Sequence, residues 1–140
     1  NDKANLQKVI RFLLLWGFAI SIPFSILYAL FPETFVRIIS DNTEILTEIQ
    51  PYYIYITIIP LITFAAFIWD GIYIGATASK AIRNTMIIST IFIFIPLWYI
   101  LRPKFGNHGL WLAFLGFMIA RGSVMTLLHK KNINNTVKNN

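Results

Sequence analysis

The sequence has 140 residues and is strongly apolar: 56% are hydrophobic, 13% are charged and the mean hydropathy is +0.63. Soluble domains carry about 25% charged residues, so this composition is typical of a membrane protein. The net charge of +6 could indicate a nucleic-acid partner, but the basic residues lie between apolar runs, which favours a lipid bilayer and no nucleic acid. Cysteine is absent, which excludes disulfides and thiolate metal sites within these residues.

Four apolar runs are each long enough to cross a bilayer as a helix, which takes about 20 residues. They cover residues 12–31, 51–77, 84–101 and 109–128, and they make residues 12–128 a transmembrane four-helix region. A polar arm, residues 1–11, precedes this region, and a polar tail, residues 129–140, follows it. The predicted fold class is an all-α membrane protein.

Lysine and arginine are distributed unevenly between the two sides of the predicted bundle. Eight lie in the arm, the turn at residues 78–83 and the tail, and three lie in the connections on the opposite side. Positive residues favour the cytoplasmic side. Both termini are therefore predicted to be cytoplasmic, in a multi-pass membrane protein.

The outer connection, residues 32–50, is long for a loop between two helices of a bundle. Its apolar residues predict a short helix lying at the membrane interface, and Asn42 is a plausible N-cap for a second one. Pro51 can then begin the second span. Tyrosines and tryptophans near the predicted outer helix ends are typical of an interfacial aromatic belt: Tyr52, Tyr53, Tyr55, Trp98, Tyr99 and Trp111.

One carboxylate, Asp70, lies deep in the second apolar run. An ionisable residue inside a membrane is costly, and it is a functional-site candidate by default. Trp69 and Tyr73 are four residues apart on either side of it, where they could line a cavity for a flat cation, although packing against neighbouring helices is favoured. Gly71 and Gly75 follow at the spacing that lets two membrane helices approach closely.

Arg121 is the other formal charge well inside an apolar run. It lies nine residues before a lysine of the tail, and Asp70 lies ten before a lysine of the inner turn, so regular helices would place both about 14–15 Å from the basic edge. This matching depth predicts that Asp70 and Arg121 touch or share a polar partner such as Asn84, with Gly122 easing the approach of the two helices. A structural ion pair is favoured over a coupling-ion or gating element, because a carboxylate tied to arginine stays ionised.

Proline and glycine mark further features of the spans. Pro23, Pro60 and Pro96 lie inside three of them and are predicted to kink their helices, which suits a protein that changes shape. Gly106 and Gly109 bracket the connection between the last two spans, where they permit a tight reversal. Spans three and four are therefore predicted to be antiparallel neighbours.

Motifs for catalysis are missing from the sequence. It has no nucleotide-binding loop, no metalloprotease motif and no paired catalytic carboxylates, and His108 and His129 are isolated from one another. We therefore expect no catalytic residues, no metal site, no bound cofactor and no enzymatic activity. Any transport would be driven by an ion gradient or by a partner chain.

Four stretches in a fixed order resemble a known family. They are WDGIYIGAT at residues 69–77, RNTM at 83–86, GNHGLWLAF at 106–114 and FMIARG at 117–122. In order and spacing, the chain from about residue 12 onward resembles the DinF branch of the MATE (multidrug and toxic compound extrusion) family. The resemblance implies a transporter of twelve helices in two bundles, of which this chain would be the last four and the missing eight helices would be its partners.

The resemblance also implies the activity. Such transporters export cationic or amphipathic aromatic compounds, including drug-like molecules, across the bacterial inner membrane in exchange for protons or sodium ions. The branch usually places its titrating aspartate in the first helix of the N-terminal bundle, outside these residues. Other branches have a cation-binding acid in the tenth helix, which corresponds to the span that contains Asp70.

Three alternatives also fit the sequence. A lipid-linked sugar flippase shares the architecture but would need a more cationic cavity than Arg121 alone provides. A self-contained four-span exporter working as a dimer typically has a glutamate in its first span, and residues 12–31 contain no acid. A membrane scaffold subunit without transport activity is the alternative from another functional class.

Overall fold

The computed structural model describes the backbone of residues 2–137 and the side chains of residues 5–129. This part of the chain is almost entirely helical, as predicted. Its seven α-helices are α1 (Asp2–Leu30), α2 (Pro32–Ile39), α3 (Thr43–Ile49), α4 (Tyr53–Gly75), α5 (Ser79–Ser89), α6 (Ile95–Phe105) and α7 (Asn107–Val137).

Two short segments join these helices into longer ones. A 3-10 turn, Gln50–Tyr52, connects α3 to α4, and a π-helical stretch, Thr90–Phe94, connects α5 to α6. The described residues therefore contain four helical units that are long and apolar enough to cross a membrane: Asn5–Leu30, Thr43–Gly75, Ser79–Phe105 and Asn107–His129. This confirms the predicted architecture of four membrane helices.

Helices α4 and α7 lie at the centre of the arrangement. Helix α1 packs on α4, α7 packs against α4, and α6 and α5 pack against α7. We call the end that contains residues 31–52 and 105–107 the loop end, and the end that contains residues 76–83 and the start of α1 the basic end. Large apolar side chains on the outer faces of α1, α5 and α6 are exposed in this chain.

The predicted interfacial segment folds as two short helices at the loop end. Pro32 begins α2, where its missing N–H costs no hydrogen bond. Asn42 caps α3, because its side-chain oxygen accepts a hydrogen bond of 2.9 Å from the backbone N–H of Glu44. The predicted N-cap is thus confirmed, and α3 continues through the 3-10 turn directly into α4.

The turn between α4 and α5 ends the second span two residues earlier than predicted. Thr77 has a positive φ of 54°, and the N–H groups of Thr77 and Ala78 donate to the carbonyls of Ile74 and Tyr73, both at 2.9 Å. This is a Schellman cap, a common C-terminal stop for a helix. The position with positive φ usually holds glycine, so threonine at 77 concealed the stop in the sequence.

The turn between α6 and α7 follows the prediction. Gly106 has φ +57° and ψ −129°, and α7 begins at the next residue. At Gly109 an added Cβ would lie 2.6 Å from the backbone carbonyl of Leu101, so only glycine permits this approach. Helices α6 and α7 are antiparallel neighbours, as predicted.

Candidate functional site

Asp70 and Arg121 meet between α4 and α7. The Nη2 of Arg121 donates to both carboxylate oxygens of Asp70, at 2.6 Å each. The side chain of Arg121 is 7% exposed and that of Asp70 is 21% exposed. The predicted contact is therefore present and direct, whereas the role of the pair stays a prediction.

The guanidinium of Arg121 is only partly satisfied by this contact. Its Nε is buried and has no hydrogen-bond partner among the described residues. Asn84, the predicted polar neighbour, is exposed on α5 and makes no hydrogen bond to either charge within the described part of the chain. Asp70 and Arg121 meet without a third residue, because α4 and α7 are close enough for their side chains to span the gap.

The depth assumed for Asp70 needs correction. Because α4 ends at Gly75, Asp70 lies five residues from the end of its helix, about 7–8 Å along the axis rather than 14–15 Å. Arg121 is well inside α7, which continues to Val137. The two charges lie side by side even though their helices end at different distances from them.

Trp69 and Tyr73 are buried against α7, with 1% and 0% of their surface exposed. The Nε1 of Trp69 donates to Oγ1 of Thr126 at 2.7 Å, and the hydroxyl of Tyr73 donates to the carbonyl of Met125 at 3.1 Å. The hydroxyl of Thr126 in turn donates to the carbonyl of Gly122 at 2.7 Å. Both rings therefore contribute to packing in this chain, and neither presents an open face to a ligand.

The three predicted packing glycines behave differently. At Gly122 an added Cβ would lie 3.5 Å from Ala65 and Ala66, so this glycine lies at the contact of α7 with α4. At Gly71 and Gly75 an added Cβ would meet no atom of the described residues within 4 Å, and both glycines are exposed. No described helix packs on this pair, because Trp69 and Tyr73 turn the opposite face of α4 towards α7, and the role of the pair in admitting a neighbouring helix stays a prediction.

The three predicted kink prolines lie at distinct positions. Pro23 and Pro60 are inside α1 and α4, and Pro96 is in the first turn of α6, directly after the π-helical stretch. A wider turn before Pro96 relieves the clash of its ring with the carbonyl four residues earlier. Near Pro60, the hydroxyl of Ser25 donates to the carbonyl of Thr57, so a neighbouring helix supplies a donor to this part of α4.

A second cluster, at the loop end, was not predicted as a unit. The hydroxyl of Tyr55 and Nδ1 of His108 are 3.1 Å apart, and the ring of Tyr55 stacks on Trp111 with centroids 5.6 Å apart and an angle of 7° between planes. Tyr52 also stacks on Trp111 at 6.3 Å. The sequence assigned these side chains to interfacial anchoring, and only the approach of α4 to α7 joins them. No group of histidines and acids that could hold a metal occurs in the described residues.

Comparisons with known proteins identify the family. The chain is 28% identical over 116 residues to DNA damage-inducible protein F of Escherichia coli strain K12, an alignment that covers 83% of this chain and 25% of the relative. The chain thus spans about a quarter of the length of this curated relative, and no solved structure matches it. The family model MatE matches residues 1–100, which is most of the chain, and the protein therefore belongs to the MatE family.

Proposed function

We propose that this chain forms the last four helices of a twelve-helix antiporter in the bacterial inner membrane. It would export cationic or amphipathic aromatic compounds in exchange for protons or sodium ions. The observation that carries this proposal is the MatE match over residues 1–100, together with four helices able to cross a membrane. The eight preceding helices are its proposed partners, since the chain spans a quarter of its relative.

Within that transporter, we assign the pair of Asp70 and Arg121 a structural role. Arginine and aspartate are each expensive to bury in a membrane, and their contact offsets part of that cost. The pair joins α4 to α7 at the level where Trp69 also bonds Thr126 across the same interface. This cross-linking supports a rigid α4–α7 unit that moves as one body when the transporter changes conformation.

The exposed apolar faces of the chain support the proposal that lipid and further helices pack against it. Large apolar side chains on α1 and α5 are uncovered, among them Phe12, Trp16 and Ile87. Lipid or the preceding helices would cover them in the intact transporter. We propose that one of the preceding helices packs in the open space beside Gly71 and Gly75, since small residues allow close approach.

The proposed orientation places the basic end in the cytoplasm. Lys80 and Arg83 are exposed there, close to the start of α1. A single cysteine at Ser79 should react with a membrane-impermeant maleimide only after the cells are opened, and one at Asn42 should react on intact cells. Labelling of Ser79 on intact cells would reverse the orientation.

Transport is tested with the complete protein, as its gene encodes it, in proteoliposomes that carry an imposed proton or sodium gradient. We expect an aromatic cation such as ethidium to move against its own gradient and to release protons or sodium in exchange. Absence of exchange with both ions would contradict antiport. Asp70→Asn, compared at equal amounts of folded protein, should retain exchange; if it folds stably and exchange is abolished, Asp70 is a transport carboxylate and the structural assignment is wrong.

A further inference from the structure

The loop end contains a cleft that the contacts described so far leave open. Its volume is about 500 Å³, within the range of about 300–1,000 Å³ that is usual for small organic ligands. It is lined by Ile45, Glu48, Ile49, Tyr52, Asn107 and Trp111. This lining combines one carboxylate, one amide, two aromatic rings and two aliphatic side chains.

The two walls of the cleft come from distant parts of the sequence. Ile45, Glu48, Ile49 and Tyr52 have the spacing of one helix face, and they lie on the continuous helical unit Thr43–Gly75. The opposite wall is formed by the first turns of α7. The approach of α3 and the 3-10 turn to α7 therefore creates the cleft, and the sequence of either wall alone does not reveal it.

The aromatic rings of the cleft contact further aromatic side chains at the loop end. Trp111 stacks on Tyr55, and the hydroxyl of Tyr55 is 3.1 Å from Nδ1 of His108. Tyr52 stacks on Trp111 with an angle of 23° between planes and lies 4.7 Å from His108 between ring centroids. The π faces of aromatic rings carry negative electrostatic potential, so a pair of neighbouring rings is suited to an organic cation.

The carboxylate of the cleft has no cationic partner. Glu48 is exposed and forms no salt bridge within residues 5–129, whereas Glu33 at the same end is paired with Arg37 at 2.6 Å. Arg102 belongs to a neighbouring cleft, where its guanidinium lies 5.1 Å from the centre of the Trp98 ring. The lining of the cleft therefore has a formal charge of −1 that no side chain lining it neutralises.

We propose that this cleft binds an organic cation, with the charge between the Glu48 carboxylate and the rings of Tyr52 and Trp111 and the apolar body against Ile45 and Ile49. A calcium ion needs six to eight oxygen ligands, which one carboxylate, one amide and one phenol do not supply. A neutral apolar ligand would leave the carboxylate without a partner. The inference rests on the proposed transport function for the direction in which the cation moves, but not for its binding.

The test measures equilibrium binding to the complete protein in lipid nanodiscs without an ion gradient. The probe is the fluorescent cation N-methylacridinium, and its counterpart is acridine, which has the same ring system and is neutral at mildly alkaline pH. Empty nanodiscs correct for partition into lipid. Fluorescence polarisation reports the affinity of each compound, and the wild type should bind the cation more tightly than the neutral ring.

Two variants and two controls locate the binding. Glu48→Gln should weaken binding of the cation about threefold and leave acridine unchanged, as expected for one exposed charge pair. Trp111→Leu should weaken binding of the cation about fivefold. Glu44→Gln makes the same charge change on α3 outside the cleft, and Trp16→Leu removes an exposed ring on α1; both should bind as the wild type does.

Glu48→Gln decides the proposal, because an exposed residue is replaced and folding is preserved. Unchanged affinity for N-methylacridinium in this variant would overturn the proposal, and so would an equal loss in Glu44→Gln. An equal loss of affinity for the cation and for acridine would also overturn it, since the cleft would then be an apolar groove. Binding without ion-coupled transport would contradict the antiporter proposal alone, whereas transport without this dependence on Glu48 would contradict the cleft alone.

Discussion

Helices α4 and α7 contact each other towards both the basic end and the loop end, but the two contacts use different chemistry. Towards the basic end the contact is made by polar groups, each pair with at least one buried member: Arg121 with Asp70, Trp69 with Thr126, and the Tyr73 hydroxyl with a backbone carbonyl. Towards the loop end it is made by stacked rings around Trp111, with a single side-chain hydrogen bond.

This difference indicates which part of the interface is fixed. A buried charge that loses its partner is left at a large cost, so the polar contacts define one geometry. Stacked rings change their offset and tilt at little cost, since such pairs are worth only about 0.5–1.5 kcal/mol beyond the area they bury. We therefore expect the basic end to fix the register of α4 and α7, and the loop end to adapt to a ligand.

The largest expected effect is from breaking the ion pair. Asp70→Asn should destabilise the protein by up to about 2.5–3.5 kcal/mol, the cost of an unpaired charge at the centre of a membrane helix. The double variant Asp70→Asn with Arg121→Gln should recover part of this loss. Thermal unfolding of the wild type, both single variants and the double variant in detergent is the measurement, and additive losses would show that the residues are uncoupled.

The next effect concerns the closest backbone approach, at the loop end. Gly109→Ala should cost about 1–3 kcal/mol, because its Cβ would meet the backbone of Leu101 at 2.6 Å and the helices must separate. Gly122→Ala is the matched control, since its Cβ would meet ordinary contacts at 3.5 Å. Equal unfolding temperatures for these two variants would show that the α6–α7 approach is looser than the structure indicates.

The two turns offer a smaller test of the comparison. Thr77→Gly should raise the free energy of unfolding by about 1 kcal/mol, because a β-branched residue is strained at positive φ. Gly106→Ala should lower it, since Gly106 at the loop end also has positive φ. Chemical denaturation measures the free energy of unfolding of both variants. If both substitutions change it in the same direction, the backbone conformation described for one of the two turns is wrong.

The smallest expected effects come from replacing tyrosine by phenylalanine, once near the basic end and once near the loop end. Tyr73→Phe and Tyr55→Phe each remove only a hydroxyl group, and hydrogen bonds between membrane helices average about 0.6 kcal/mol. Tyr73→Phe should lower the free energy of unfolding by more than this average, because the Tyr73 hydroxyl donates from a fully buried side chain, and Tyr55→Phe should lower it by less. A larger loss at Tyr55, measured by thermal unfolding, would reverse the proposed ranking of the two ends.

Much of the candidate site could be predicted from the sequence, for reasons that apply to particular residues. Asp70 and Arg121 stand out because charges are rare in apolar runs, and each needs a partner in a membrane. Gly106 and Gly109 indicated a reversal because few other residues adopt the backbone of Gly106 and only glycine fits the close approach at Gly109. Gly71 and Gly75 stay a prediction, since their spacing indicates a possible contact but not whether a partner helix lies on that side.

The cluster around Trp111 shows what the sequence could not reveal. Tyr55 and His108 are separated by 52 intervening positions, and nothing in either local pattern specifies that one bonds the other. Each alone fits interfacial anchoring. The same holds for Glu48, which shares a cleft with two rings only because α3 lies beside the start of α7.

The sequence by itself determined the four apolar helices, the cap at Asn42, the tight turn at Gly106 and the need of Asp70 for a partner. These depend on local composition, backbone preference and the cost of a charge in lipid, which act at each position separately. Tertiary structure alone decided that Trp69 bonds Thr126, that Gly71 faces outwards, and that a carboxylate and two rings share a cleft. Such features require the relative rotation and register of two helices, which are fixed by packing between distant residues and not by the sequence of either one.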